Sequence, residues 1–380
     1  MNKTFNPEQY NLIIECSKKE DFSEWNDYVS KTKEIIDLRE SNLEGIKIIG
    51  AKFINVDGKG ATFCDANLKD VKLEGVNMSD CIFLNAEMTG VSAAGSIFKG
   101  SIFDRAQLGN AFFAICNFDE ASFQRSNLIL AKFFDSRFQD CSFYAANLSD
   151  AQFLGGGRNP LLEGESRFNL CGTNFSNAKF TSGTYFHLAS VSRKTDFRTV
   201  SFESACYSAG LRQTLQYCNR RHNWAAWYAK NGRIKSSLVK LFWMASDYGR
   251  SPRQVLMSFL IVCLLYTLIY WLVPASTSGD AGKDLTLVQS MYFSFVTMTT
   301  LGYGDIAANK SSWLSQVLVI THVLFGYVIL GALLTVLSNL FTSDGPAEGL
   351  IKHPMKANIQ FSFHTSNADK TPAMDEASSV

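Results

Sequence analysis

Two hydrophobic patterns divide the chain. From Leu38 onward a large apolar residue recurs at every fifth position: Leu38, Leu43, Ile48, Phe53, then from Phe63 to Phe153. Of the 24 positions in this register, 22 are large and apolar; Gly58 and Ala93 are the exceptions. Two residues ahead of each, Ala, Ser or Cys fills 18 of the 24 places, and Val or Ile fills the other six. A step of five fits neither common element. On an α-helix it turns about 500°, so the stripe drifts by ~140° per repeat. On a strand an odd step alternates between faces. The pattern is satisfied if the backbone turns a corner about every five residues and points each large residue inward. Four sides then close a square coil of about twenty residues, and the coils stack as parallel rungs around one core. The small residue leaves room for its large neighbour. Six coils at ~4.8 Å predict a rod of about 29 Å over residues 38–153. The Gly155–Gly157 run breaks the register. Phe175, Phe180 and Tyr185, then Phe197, Phe202 and Tyr207, resume it in new phases and predict one or two distorted further coils. Residues 22–36 read as a short amphipathic helix, and 1–36 as a cap on the open N-terminal end.

The second pattern is continuous rather than periodic. Val255 to Val273 is nineteen residues without a charge, and Leu314 to Phe341 is uncharged apart from His322. As helices both are long enough to cross a hydrocarbon layer of roughly 30 Å. Trp271 and Trp313 stand at matching ends, as interfacial aromatics do. Residues 285–299 are apolar and aromatic but too short to span, which suits a helix that enters and returns. Residues 210–253 carry nine Lys or Arg against one acidic residue, Asp247. That bias places the stretch, and with it both termini, on the cytoplasmic side, leaving 274–313 outside or re-entrant.

The five-residue register, with Ala66-Asn67-Leu68 and Ala146-Asn147-Leu148 as its clearest units, resembles the pentapeptide-repeat family and its A(D/N)LXX pattern. The resemblance implies a right-handed four-sided β-helix, tight over 36–153 and loose to about 207. Between the two spans, Ser290 to Asp305 reads SMYFSFVTMTTLGYGD. Two Gly allow backbone conformations that other residues resist, so successive carbonyls can line one axis and replace the water around a bare cation. Four chains are needed to surround that axis. The segment resembles the potassium-channel pore, with its TVGYG filter and following Asp, over about residues 247–341. The resemblance implies an all-α two-transmembrane pore domain in which Thr300, Leu301, Gly302, Tyr303 and Gly304 coordinate potassium. Thr299 and Asp305 would support that filter. Leu301 replaces the usual Val, but the ligand is a carbonyl, so selectivity is expected to survive. Related non-selective cation channels carry Asp at the place of Tyr303. Val296 stands where some potassium channels pair a Glu with the filter-flanking Asp, so Asp305 must find another partner. In the last span Gly326 and Gly331 are candidates for a gating hinge or for close helix packing, and both readings stand. His322 is open to a pH-sensing role or to simple packing.

Composition narrows the function. The chain has 380 residues, 36 Lys plus Arg and 35 Asp plus Glu, for a net charge of +1. That excludes a globally basic nucleic-acid binder. Within 38–153 the balance is 14 acidic to 11 basic, unlike the acidic DNA mimics known among pentapeptide-repeat proteins. Nine Cys include no CxxC pair, and Cys81, Cys116 and Cys141 take the small inward place, so they read as reduced spacers. Residues 1–30 are polar and mixed in charge, so no leader is expected there, and neither a nucleophile–base set nor a catalytic metal cluster is visible; an enzyme is not expected. No cofactor is expected beyond potassium ions in the filter. The expected divisions are a helical cap at 1–36, the β-helix at 37–207, a helical cytoplasmic linker at 208–250, the pore at 251–341 and a flexible tail at 342–380. The linker, with Trp224, Trp227 and Trp243, can lie on the membrane face or serve as a plain connector.

The expected protein is a homotetrameric potassium channel in a bacterial inner (plasma) membrane. It would meet lipid and itself but no nucleic acid, with a regulatory β-helix open to a partner the sequence does not name. The alternative is a β-helix binding scaffold anchored by a non-conducting or weakly selective membrane part.

Overall fold

The computed structural model describes residues 5–155, 168–273, 277–278, 285–309, 312–342, 345, 347–348 and 350. Gly156 and Gly157, most of the 274–284 segment and the tail beyond Leu350 lie outside the described residues. The chain forms two compact units, residues 1–218 with 347–380, and residues 219–346.

The first unit is a four-sided β-helix. Along one side, parallel strands recur every twenty residues at Lys52–Ile54, Lys72–Glu74, Ser92–Ala94, Phe112–Ala114, Lys132–Phe134 and Gln152–Leu154. Tyr185–His187 and Cys206–Tyr207 add two more rungs to the same sheet. Bridges such as Asp57↔Asn77, Thr62↔Ile82 and Asn67↔Glu87 tie the other three sides across the same twenty-residue step. The corners explain the period. Every fifth residue from Glu40 to Asp150 has a positive φ, between 43° and 73°. Gly, Asn and Asp tolerate that left-handed conformation best, and they fill most of these places.

Inside, the apolar register forms columns of stacked rings one rung apart. Phe63, Phe83, Phe103, Phe123 and Phe143 stack in sequence at 4.7–5.0 Å with planes within 9° of parallel. Phe98, Phe118 and Phe138 form a second column, each step 5.0 Å. At Gly58 the gap is filled from the next coil: a methyl there would sit 2.6 Å from the Met78 sulfur.

The late register differs from expectation at one residue. Tyr185 is only half-buried, and Phe186 faces the core, stacked 4.8 Å from Phe153. Between Phe180 and Phe186 one side holds six residues instead of five, which shifts the inward phase by one. Both ends of the stack are closed. Helices α1 (Pro7–Lys19) and α2 (Ser23–Lys31) contribute Ile13, Cys16, Trp25 and Val29 to the core. Asn6 caps α1 by accepting from the Glu8 and Gln9 amides, with Pro7 in the first turn. The expected helix over 22–36 is thus the second of two. At the far end Leu211 and Leu215, in the first turns of α3 (Leu211–Lys230), join the same core.

The second unit holds the rest of α3, then α4 (Arg233–Ala245), α5 (Pro252–Leu272), α6 (Leu287–Met298) and α7 (Trp313–Phe341). Helices α5 and α7 have 21 and 29 residues and a mean hydropathy of 2.4 over their most apolar windows, so both are long and apolar enough to cross a membrane. Ser251 and Pro252 start α5, and Ser312 starts α7, each serine accepting an amide of the first turn. The Gln254 side chain donates to the Met244 carbonyl (2.7 Å) and Ser258 to that of Ala245 (3.1 Å), fixing the elbow between α4 and α5.

Candidate functional site

The candidate site is the segment that follows α6. The helix opens with a capping box in which Thr286 and Gln289 satisfy each other's backbone amides. Apolar packing holds it: Phe293 lies among Tyr266 and Tyr270 of α5, and Met298 among Val255, Cys263, Ile329 and Val336. The Ser294 hydroxyl donates to the Cys263 carbonyl at 2.8 Å, pinning α6 to α5 at mid-depth. Val296 is buried.

At the C-terminal end of α6 the last carbonyls are taken up in sequence. The Thr299 hydroxyl donates to the Phe295 carbonyl at 2.7 Å, the Thr300 amide to Thr297 and the Leu301 amide to Val296, both at 3.1 Å. The chain then leaves in alternating hands: Thr300 has φ +60°, Gly302 +52° and Gly304 +80°, while Leu301 and Tyr303 stay on the ordinary side. Such alternation turns successive peptide planes so that their carbonyls can share one side. Thr300 is a β-branched residue held left-handed, a strain that persists where the surroundings impose it and that clusters at working sites. Leu301 and Tyr303 expose 61% and 67% of their surface in the single chain. The helix dipole of α6 presents its negative end to this segment.

Asp305 has a neighbour that the sequence reading left open: the Tyr292 phenol of α6 lies close enough to interact with its carboxylate. The thirteen-residue separation follows no local spacing rule, which is why sequence alone missed it.

Gly326 lies against the end of α6, where a methyl would collide with the Met298 carbonyl oxygen. Close packing at Gly326 therefore has a direct geometric basis. Gly331 has nothing within 4 Å of the place a methyl would take, and α7 runs unbroken through both glycines. His322 is fully buried, stacked on Tyr266 at 3.9 Å with planes 2° apart, and its Nδ1 lies 3.2 Å from the Tyr270 hydroxyl. Among the described residues no group of three or more His, Cys, Asp or Glu is placed to hold a metal ion.

Comparison with known proteins divides the chain along the same lines. The family described as pentapeptide repeats matches eight copies within residues 41–150, and the family described as ion channel matches residues 256–343. The chain therefore joins a pentapeptide-repeat β-helix to an ion-channel domain. Over 92 residues it is 38% identical to "Two-pore potassium channel 1" of Arabidopsis thaliana, covering 24% of either chain. Over 93 residues it is 34% identical to "Potassium channel subfamily T member 1" of Homo sapiens, covering 23% of this chain and 7% of that one. The chain thus spans about a quarter or less of the length of these relatives. A solved structure of QnrB1, a plasmid-mediated fluoroquinolone resistance protein, aligns with 46% of this chain and 83% of its own at 18% identity and a TM-score of 0.37.

Proposed function

We propose that four copies of this chain form a potassium-selective channel whose filter is Thr300–Gly304, with Thr299 and Asp305 as its supports. The observation that carries the reading is the alternating backbone of Thr300, Gly302 and Gly304 at the negative end of a short, half-buried helix between two membrane-length helices. Carbonyls on one side of a strand replace the hydration shell of a cation only when several strands face one axis, hence the tetramer. The division follows: cap at 1–36, β-helix at 37–207, linker at 208–250, pore at 251–341 and tail at 342–380. Both termini lie in the cytoplasm of a bacterial cell, and the β-helix regulates the pore.

Purified protein in liposomes tests the reading. Potassium flux should greatly exceed sodium flux, and barium should block it. Gly302→Asp should abolish or degrade selectivity while the protein stays in the membrane, because Asp cannot take the left-handed place at no cost and brings a charge to the axis. Equal passage of sodium and potassium by the parent protein would overturn the selectivity.

A further inference from the structure

The β-helix unit includes chain from beyond the two long apolar helices, of which Ala347, Glu348 and Leu350 are described. Leu350 forms a parallel bridge with Val191 and packs on the β-helix core. The Glu348 amide donates to the Gly210 carbonyl at 3.3 Å. The Thr214 hydroxyl, in the first turn of α3 and fully buried, donates to the Glu348 carbonyl at 2.6 Å. The place they occupy is the end of a ladder. On that side Ala189–Ser190 pairs back to Phe168–Asn169, which is bridged in turn to Arg137 and the coils before it, so Ala189–Ser190 is the last strand of that ladder. Val191 follows directly, and Leu350 supplies the next rung there in place of a repeat. Backbone pairing, an apolar side chain packed against the core and a buried hydroxyl are the contacts by which a sheet end takes up an added strand.

Where this piece sits in the sequence gives it a consequence. Helix α7 ends at Phe341, and Ala347 begins the docked piece. Six Cα steps join them, a reach of about 20 Å at full extension. Any displacement of the end of α7 larger than the slack in that tether must pull on the docked strand.

We propose that Glu348 and Leu350 form a clasp by which the β-helix holds the chain just beyond α7, so that the travel of the C-terminal end of α7 is limited by the short tether to the β-helix. The gating consequence rests on the channel reading above; the clasp itself does not. The clasp gives the β-helix a second handle on the pore besides the linker that enters α5.

Hydrogen–deuterium exchange on the full-length protein in lipid reads the clasp without conduction. The Glu348 amide should exchange at least about tenfold more slowly than an unstructured amide, as a hydrogen bond backed by an apolar contact implies. Leu350→Asp should abolish that protection and speed exchange in the last turn of α7, with the rungs from Lys52 to Leu154 unchanged. Thr214→Val, which removes only the hydroxyl, should do the same to a smaller extent and serves if the Asp variant loosens the rungs. Inserting about ten Gly/Ser residues between Thr342 and Ala347 should leave Glu348 protected yet reproduce the change in α7, because the longer tether no longer limits the end of the helix. In liposomes Leu350→Asp and the insertion should shift potassium flux in the same direction. Free exchange at Glu348 in the parent protein overturns the clasp. Unchanged exchange at the end of α7 in both variants, or unchanged flux in both when the parent conducts, overturns the coupling. A parent that passes no potassium refutes the channel reading alone, and the exchange comparison still decides the clasp.

Discussion

Phe118 shows what one residue contributes to the β-helix. It is fully buried, stacked between Phe98 and Phe138, and edge-on to Phe113 and Phe123. Phe118→Ala should cost about 3–5 kcal/mol, while Gln124→Ala, at an exposed place outside both inward registers, should be near neutral. Scanning calorimetry of the β-helix transition in the full-length protein checks the pair, and equal losses would mean the register is wrong. Ile115 shows the opposite case. It is 44% exposed and occupies a corner at φ +55°, a conformation its branched side chain resists. Ile115→Asn should stabilise by about 1 kcal/mol and raise Tm by about 2–4 °C. A fall in Tm would show that the Ile115 side chain has a use the corner does not explain. In α7, Gly326→Ala should disturb the end of α6 and lower both thermal stability and flux, whereas Gly331→Ala should be near neutral, since a methyl there meets nothing within 4 Å. Similar results for the two would mean that α7 moves aside without cost.

Elements impose the chemistry of their surroundings. The inward small places bury Cys81 and Cys116 between rungs, and burial pushes both thiols up to about 12. The folded values lie above the unfolded one, so the folded state holds those protons more tightly. Their contribution to stability is full below about pH 9 and is lost as the pH rises toward 12. A thiol reagent at pH 8 should therefore modify the exposed Cys206 and spare Cys81, Cys116 and Cys141 until the protein unfolds. Mass mapping of the labelled peptides checks this, and early labelling of the inner three would contradict their packing. The β-helix was legible in the sequence because its period is written in two registers at once, the large inward residue and the small one. The corner conformation is readable too, since Gly, Asn and Asp crowd the fifth place. The six-residue side before Phe186 was not legible, because a single inserted residue leaves the local composition unchanged and only the stacking of Phe186 on Phe153 reveals the phase.

For the whole molecule, topology and regulation are the open tests. None of the nine Cys lies within residues 274–313, so an impermeant thiol reagent on intact cells meets a clean background there. A Cys introduced at Ser278 should be labelled and one at Ser343 should not; the reverse would invert the orientation. A chain beginning near Leu238 keeps the filter segment and both long helices. It should still conduct, with altered open probability, since both the linker and the clasp then lack their β-helix partner. Loss of assembly on truncation would instead make the β-helix an assembly domain.

By itself the sequence determined the two architectures and their order, because each rests on a local rule: a corner every five residues, and apolar runs as long as a membrane is thick. It also marked the segment proposed as the filter, whose glycines are placed by backbone geometry. Only the tertiary structure decided which distant residues meet. Tyr292 lies near Asp305, Gly326 leaves room for the Met298 carbonyl, α3 closes the stack, and Leu350 completes its last rung. These are contacts between segments whose local patterns are satisfied without them, so no periodicity records the pairing. They are fixed by the space and the unpaired backbone groups that remain once the regular elements have formed.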